Sequence, residues 1–488
     1  MNIKNIFLAG SMALASMATL VSCDDQLSAL PAQQKVDGNL IVDQKSAENA
    51  LNGIYYMYAE CGTDYYDVLS TGCAVNQEIY PANYAGLIRY YQGAYMLENH
   101  NQTPSDYYTP NLWRTLYSQL NTANGVIKQL NAAPDSWFSA NRKAQIMGEA
   151  RFMRALCHYN LLRWYAQYWD TSSPYGVLLR TEPVLAGSIP KSRSSVKDSY
   201  SLILEDLDYA IDNAPAENPN YYASSWTAKG LKARVLMMRG EGTDYADAEA
   251  LCKDIIDNGP FELEQHTEDI FYQKGLESKE VIFGIQPKDG QTNVFEAYYY
   301  RGISNYYPTK PFYALFDDKD PRKSRLFLIK DKLNSMGQVA GVDTLICKHI
   351  NPEKITSNTI EESQYQMRLT EMYLLRAEAI VRHDPSRLDE ARELLRTVLT
   401  HSQAENIYKI DAANTPDALL AEIFHEMLRN LFCESGRELE IMMRMPREAV
   451  IPINEFRDTP NFMIFPVPAD EFRYNPLFGE QNPGYGKV

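Results

Sequence analysis

Apolar residues recur three and four positions apart through most of this chain. From Asp43 to Tyr58 the series is Ala47, Ala50, Leu51, Ile54 and Tyr55. From Leu112 to Leu130 it is Leu112, Leu116, Leu120, Ala123, Ile127 and Leu130. The stretch Arg142 to Tyr168 carries Ile146, Ala150, Met153, Leu156, Leu161 and Trp164. Each spacing puts one apolar stripe on a 3.6-residue period and predicts a helix with a buried face. Val196 to Ile211 and Ser224 to Arg239 form a further pair, separated by Pro215 and Pro219. Ala246 to Asn258 stops at Gly259-Pro260, a pair that cannot extend a helix.

Two of these helical pairs resemble each other. Leu231-Lys-Ala-Arg-Val-Leu is followed after a short polar turn by Tyr245-Ala-Asp-Ala-Glu-Ala-Leu. Leu375-Arg-Ala-Glu-Ala-Ile is followed by Leu388-Asp-Glu-Ala-Arg-Glu-Leu-Leu. Small residues let helices pack closely, and a short turn makes them antiparallel, which are the features of tetratricopeptide-like hairpins. The fold class predicted is mainly α: tetratricopeptide-like helical hairpins as a scaffold, with an irregular, loop-rich subdomain. The irregular parts are residues 59–111 and 260–363, where Gly, Asn, Tyr and Pro interrupt any period. Short β-like runs occur there at Glu280 to Ile285 and Thr344 to Cys347, and the tail from Pro446 to Val488 reads as Pro-rich and extended.

The first residues carry a different signal. Lys4 is the one charge before an uncharged, Leu- and Ala-rich run from Ile6 to Ser22, the pattern of a secretory signal peptide. Leu20-Val21-Ser22-Cys23 matches a bacterial lipobox, so Cys23 is the expected lipidation site and residues 23–39 a lipidated tether. Asp24 and Asp25 behind it resemble the surface-export signal of Bacteroidetes lipoproteins. Of the other cysteines, Cys61 and Cys73 lie close enough in sequence for a loop disulfide. Cys157, Cys252 and Cys433 sit in apolar helical patterns and read as buried thiols.

Composition narrows the function. Lys plus Arg total 47 against 63 Asp plus Glu, a formal charge of −16, which argues against nucleic acid as a partner. The chain has no GxSxG, HExxH, Walker or GxGxxG pattern, and its seven histidines are scattered, so no catalytic residue, metal site or cofactor is assigned. Tyrosine is abundant, at 34 against 17 Phe and 5 Trp, and two clusters of it fall in the irregular segments. One contains Tyr80, Tyr84, Tyr90, Tyr91 and Tyr95 with Asn83 and Arg89 interleaved; the other contains Tyr298, Tyr299, Tyr300, Arg301, Asn305, Tyr306 and Tyr307. A tyrosine offers an apolar face and a polar tip, which suits the C–H faces and hydroxyl edges of sugars. The candidate ligand-binding residues are therefore Tyr84, Arg89, Tyr90, Tyr91, Tyr298, Tyr299, Arg301, Asn305 and Tyr306. Tyr307, followed by Pro308-Thr309, reads as a framework position.

Five ordered stretches resemble the SusD/RagB family of surface nutrient-uptake lipoproteins. They are Gly148-Glu-Ala-Arg-Phe-Met-Arg-Ala, Lys191-Ser-Arg-Ser-Ser-Val, Arg368-Leu-Thr-Glu-Met-Tyr-Leu-Leu-Arg-Ala-Glu-Ala, Leu428-Arg-Asn-Leu-Phe-Cys-Glu-Ser-Gly-Arg-Glu-Leu, and the end from Phe465-Pro-Val-Pro to Gln481-Asn-Pro-Gly-Tyr485. The resemblance implies a signal peptide over 1–22, the tether, and one SusD-like domain over 40–488. Its helical scaffold would occupy about 40–58, 112–258 and 364–445, with binding segments at about 59–111 and 260–363. It further implies a non-enzymatic protein on the outside of the outer membrane that captures an oligosaccharide for a SusC-like TonB-dependent transporter. A peptide-capturing member of the family and a tetratricopeptide-type adaptor for proteins are the alternatives. Starch-binding members place tryptophans in their binding loops, and neither tyrosine-rich stretch here contains one.

Overall fold

The computed structural model describes residues 40–59, 72, 78–91, 93, 96–286, 299–300, 303–333, 336–349 and 363–488. The signal peptide, Cys23 and its tether, and the pair Cys61 and Cys73 lie outside the described residues.

The longer helices follow the apolar periods closely, while short ones form at Tyr80–Tyr84, Lys310–Tyr313 and Pro321–Leu326, in the stretches expected to be irregular. The helices include α1 (Gln44–Ala59), α2 (Tyr80–Tyr84), α3 (Tyr108–Ala132), α4 (Arg142–Tyr165), α5 (Val196–Asn213), α6 (Ser225–Arg239), α7 (Asp244–Asn258), α8 (Leu369–His383), α9 (Leu388–His401), α10 (Pro416–Leu431) and α11 (Glu438–Arg444). Local chemistry sets their ends. The Asp106 carboxylate accepts from the Tyr108 and Thr109 amides at the start of α3. Ser195 caps α5, and Ser224 with Thr227 forms a capping box on α6. Gly240 closes α6 at φ +64, a left-handed conformation that costs glycine little. Consecutive helices pack as hairpins: α3 on α4, α4 on α5, α6 on α7, and α8 on α9, with α7 also against α8. The two pairs that resemble each other in sequence, α6–α7 and α8–α9, are thus stacked neighbours. Their small residues Ala233, Ala248, Ala377 and Ala391 are fully buried. Among the described residues no helix is long and apolar enough to cross a membrane.

Helix α4 is the centre of the scaffold. It is buried nearly all round from Ile146 to Tyr165, including Glu149, Arg154, His158 and Asn160. Arg154 is held by both oxygens of Asp206 on α5, at 2.7 Å each. Gly148 lies against the end of α5, where a Cβ would stand 2.6 Å from the Ala214 amide nitrogen and 3.0 Å from its Cα. Backbone cannot swing aside as a side chain can, so the glycine of the GEARF stretch is a close-approach position. The far end of α4 is sealed by the tail. The Phe465 amide donates to Trp164 O at 2.6 Å, and Asn482 Nδ2 donates to Tyr165 O and Phe465 O at 3.0 and 2.8 Å. Gln481 pairs with both the amide and the carbonyl of Val467. The tail expected to be extended also forms short helices, at Arg447–Val450 and Ala469–Tyr474.

Strands are short and, among the described residues, only two-stranded pairings occur. They are β1 (Ile88–Tyr90) with β5 (Tyr306–Pro308), β2 (Val281–Ile285) with β8 (Gln364–Arg368), β3 (Tyr299–Tyr300) with β4 (Ile303–Ser304), and β6 (Phe327–Leu333) with β7 (Val339–Ile346). One boundary differs from expectation: residues 364–368 are strand and not the start of a helix, because β2 supplies them an antiparallel partner. Cys157, Cys252 and Cys433 are buried thiols as expected, and Cys347 joins them.

Where β8 meets α8, a buried group of charges ties the scaffold to the irregular part. Arg368 Nη1 donates to Glu280 at 2.6 Å, while its Nε and Nη2 donate to the two oxygens of Glu434 at 2.7 and 2.9 Å. Lys348 also pairs with Glu434 and donates to the carbonyls of Asn430 and Phe432. Burial alone would raise the Glu434 carboxyl; Arg368 and Lys348 reverse that and hold it near about 2. Glu371, three residues on, binds Arg234 of α6 at 2.8 Å and lies 2.9 Å from Arg437. The charged letters of two family stretches are therefore partners across one junction.

Candidate ligand-binding site

The two tyrosine-rich stretches, far apart in sequence, meet as one antiparallel ribbon. In β1–β5, Ile88 faces Pro308, Arg89 faces Tyr307 and Tyr90 faces Tyr306. The Tyr91 amide donates to Asn305 O and the Thr309 amide to Leu87 O, both at 2.8 Å, extending the ladder at each end. Side chains alternate across a strand, so Ile88, Tyr90 and Tyr306 share one face and Arg89 and Tyr307 the other, while Tyr91 lies just past β1 with its ring 4.8 Å from that of Tyr90. The first face points inward: Ile88 and Tyr306 are buried, and the Tyr90 ring packs 5.5 Å from Tyr306. The second face opens outward at Arg89, which is exposed, and Tyr91 beyond the end of the strand is 40% exposed. Strand β7 packs beside β5 and brings Asp343 to the Tyr307 hydroxyl. Burial, then the Asp343 carboxylate, raises the Tyr307 phenol above its ordinary range, so the ring keeps its proton.

The outer edge of β1 has no strand partner among the described residues, and side chains cover it instead. The Tyr90 amide donates to Glu98, and Asn83 Nδ2 donates to Ile88 O at 3.0 Å. Beside this edge lies a cavity of about 370 Å³, walled by Asn83, Arg89, Glu98, His100 and the segment 451–456. The His100 ring forms part of the wall, sandwiched between Tyr84 at 4.0 Å and Phe456 at 4.1 Å. Its Nδ1 lies 2.6 Å from Phe462 O, which fixes the proton on that nitrogen. Burial lowers its pKa to about 4, so the ring is neutral at ordinary pH.

The expected residues divide accordingly. Arg89, Tyr90 and Tyr91 stand on the ribbon at or near the surface. Tyr84 is fully buried, and its hydroxyl donates to Phe462 O at 2.5 Å, so it braces the tail while lining the floor of the cavity. Asn305 and Tyr306 are buried too, at 8% and 1% exposure, and Tyr306 lines the inner side of the ribbon. Tyr299 pairs with Ser304 through its backbone, and Tyr298 and Arg301 lie outside the described residues. Tyr307, expected as framework, shares the outward face with Arg89 and is half-buried. Glu98, Asp343 and the segment 451–456 carry no local sequence signal; only the folded chain places them here.

Fold and site together define a helical-hairpin scaffold that presents an aromatic ribbon from its irregular part. The family description "Starch-binding associating with outer membrane" matches residues 47–237, and "SusD family" matches residues 342–447. A SusD-like protein of Bacteroides ovatus is 28% identical over 182 residues, which cover 36% of this chain and 32% of that protein. The match therefore spans about a third of that relative. A SusD superfamily crystal structure from Bacteroides thetaiotaomicron superposes with a TM-score of 0.72 at 21% identity, covering 91% of this chain and all of that one (100%). A SusD-like carbohydrate binding protein from Bacteroides vulgatus gives 0.67 at 18% identity, covering 83% and 84% of the two chains. The chain belongs to the SusD/RagB family.

Proposed function

We propose that this protein is a cell-surface glycan-binding lipoprotein that captures an oligosaccharide on the outward face of the β1–β5 ribbon. The observation that carries the reading is the union of two separate tyrosine-rich stretches in one ribbon, with Arg89 and Tyr307 on its open side and the part-exposed Tyr91 at its end. Part-exposed rings beside the Arg89 guanidinium offer a sugar both a stacking surface and donors for its hydroxyls. Family membership and the carbohydrate-binding relative from Bacteroides vulgatus support the same ligand class. On this reading Cys23 carries lipid at the outer membrane, and the cargo passes to a SusC-like TonB-dependent transporter. Metabolic labelling with a fatty acid that marks the native protein and the Cys23→Ser variant equally would remove the anchor.

Isothermal titration against a panel of oligosaccharides and peptides tests the binding. At least one glycan should bind, and Tyr91→Ala should weaken it about tenfold, equivalent to about 1.4 kcal/mol. Peptide binding with no glycan binding would overturn the reading. An unchanged affinity in Tyr91→Ala would move the site off this ribbon.

A further inference from the structure

The cavity at the free edge of β1 holds polar groups with capacity to spare. Asn83 is 1% exposed; its Nδ2 serves Ile88 O and Glu98, while its Oδ1 has no hydrogen-bond partner among the described residues. A buried acceptor left unpaired is costly and calls for a donor. Glu98 commits Oε1 to Asn83 and to the Tyr90 amide, and no hydrogen bond engages its Oε2 among the described residues. The Arg89 guanidinium on the same wall likewise makes no hydrogen bond or ion pair among them. Ile453, Pro452 and Phe456 supply an apolar side, and the volume of about 370 Å³ sits near the lower end of the roughly 300–1,000 Å³ usual for small-molecule sites.

We infer that this cavity is a subsite for one neutral sugar residue, such as the end of a glycan chain. Two acceptors, Asn83 Oδ1 and Glu98 Oε2, need donors, and the Arg89 fork needs an acceptor. Sugar hydroxyls do both, so neighbouring hydroxyls on one ring can satisfy all three while the ring's C–H face lies on Phe456 and Ile453. A uronic acid or a phosphorylated sugar brings further acceptors toward Glu98 and toward Glu455, which is exposed at the rim. Like charges there oppose it. The inference rests on the glycan reading above and adds which charge class, and which part of the chain, the protein grips.

Saturation-transfer NMR on the folded protein reads this directly, with glucose, galactose, mannose and xylose as neutral probes and glucuronate and galacturonate as charged ones. At least one neutral sugar should give a signal and the uronates none. Arg89→Met, at an exposed position, should weaken that sugar at least tenfold with an unchanged circular dichroism spectrum. Glu98→Gln keeps the acceptor for the Tyr90 amide and replaces the spare one, so it should weaken the same sugar and serves if Arg89→Met misfolds. Uronates binding as tightly as neutral sugars would overturn the charge class. Oligosaccharides that bind while every monosaccharide is silent, with Arg89→Met leaving their affinity unchanged, would overturn the subsite and leave the glycan reading standing. Carbohydrate of no length binding would overturn both.

Discussion

Arg368→Met should lower the free energy of unfolding by about 3–5 kcal/mol, the usual cost of stripping one partner from a buried ion pair. The variant leaves Glu280 and Glu434, 1% and 4% exposed, facing a thioether in place of a guanidinium. Lys348 remains beside Glu434, but Glu280 keeps only neutral donors, the Thr370 hydroxyl at 2.6 Å and the Glu264 amide at 3.0 Å. The loss is a large part of the roughly 5–15 kcal/mol that holds a domain folded. A surface pair sets the scale for comparison: Lys279 and Glu262 are bonded at 2.8 Å but 64% and 69% exposed. Lys279→Ala should therefore cost less than about 1 kcal/mol. Denaturant titration measures both, and equal shifts of the two midpoints would show that the Arg368 junction stores no more energy than the surface.

Acid should unfold the protein well before its carboxylates are titrated. Four histidines are held neutral in the fold, each chiefly by burial: His100 and His425 at about 4, His158 and His349 at about 3. In the unfolded chain each takes a proton near pH 6.5. Between those values the unfolded state binds more protons, so stability rises with pH and is lost as pH falls from about 6.5 toward 4. Each histidine contributes a slope of about 1.4 kcal/mol per pH unit. Glu438 runs the other way: burial raises it to about 7, so the native state binds its proton first and offsets one histidine. Glu149 and Asp206, also raised by burial, soften the slope further near their own titrations. The net is about three protons, or about 4 kcal/mol per pH unit at the steepest. Below about 4.5, Glu378 and Glu434 add to the loss, since charge pairing holds both near about 2 against burial. Thermal melts at pH 7.5, 6 and 5 should show a steep fall in Tm, and a flat profile across that range would refute the account.

Legibility in the sequence followed the length of each pattern. The helices α3 to α7 each keep a regular apolar period, and their bounds fall within a few residues of the expected ones. The β8 strand did not announce itself, because Tyr365 and Met367 alternate for only five residues and their partner β2 is far away in sequence. The tyrosine clusters were legible as a candidate site and ambiguous as individuals. A phenol ring fits a core as well as a surface, and nothing within a few residues says that Tyr84 meets the Phe462 carbonyl while Tyr91 faces outward. Register decides it, and register is set by the pairing of Arg89 with Tyr307. The cavity was beyond reach for the same reason, as its Arg89 wall and its Phe456 wall come from distant parts of the chain.

The seal on α4 has a consequence for timing. Trp164 and Tyr165 belong to the central helix, yet their carbonyls wait for Phe465 and Asn482. A ribosome delivers those residues some three hundred positions later, at about 5–20 residues per second. That end of the core therefore closes only after the tail has been made, although the hairpins behind it pack on one another without the tail.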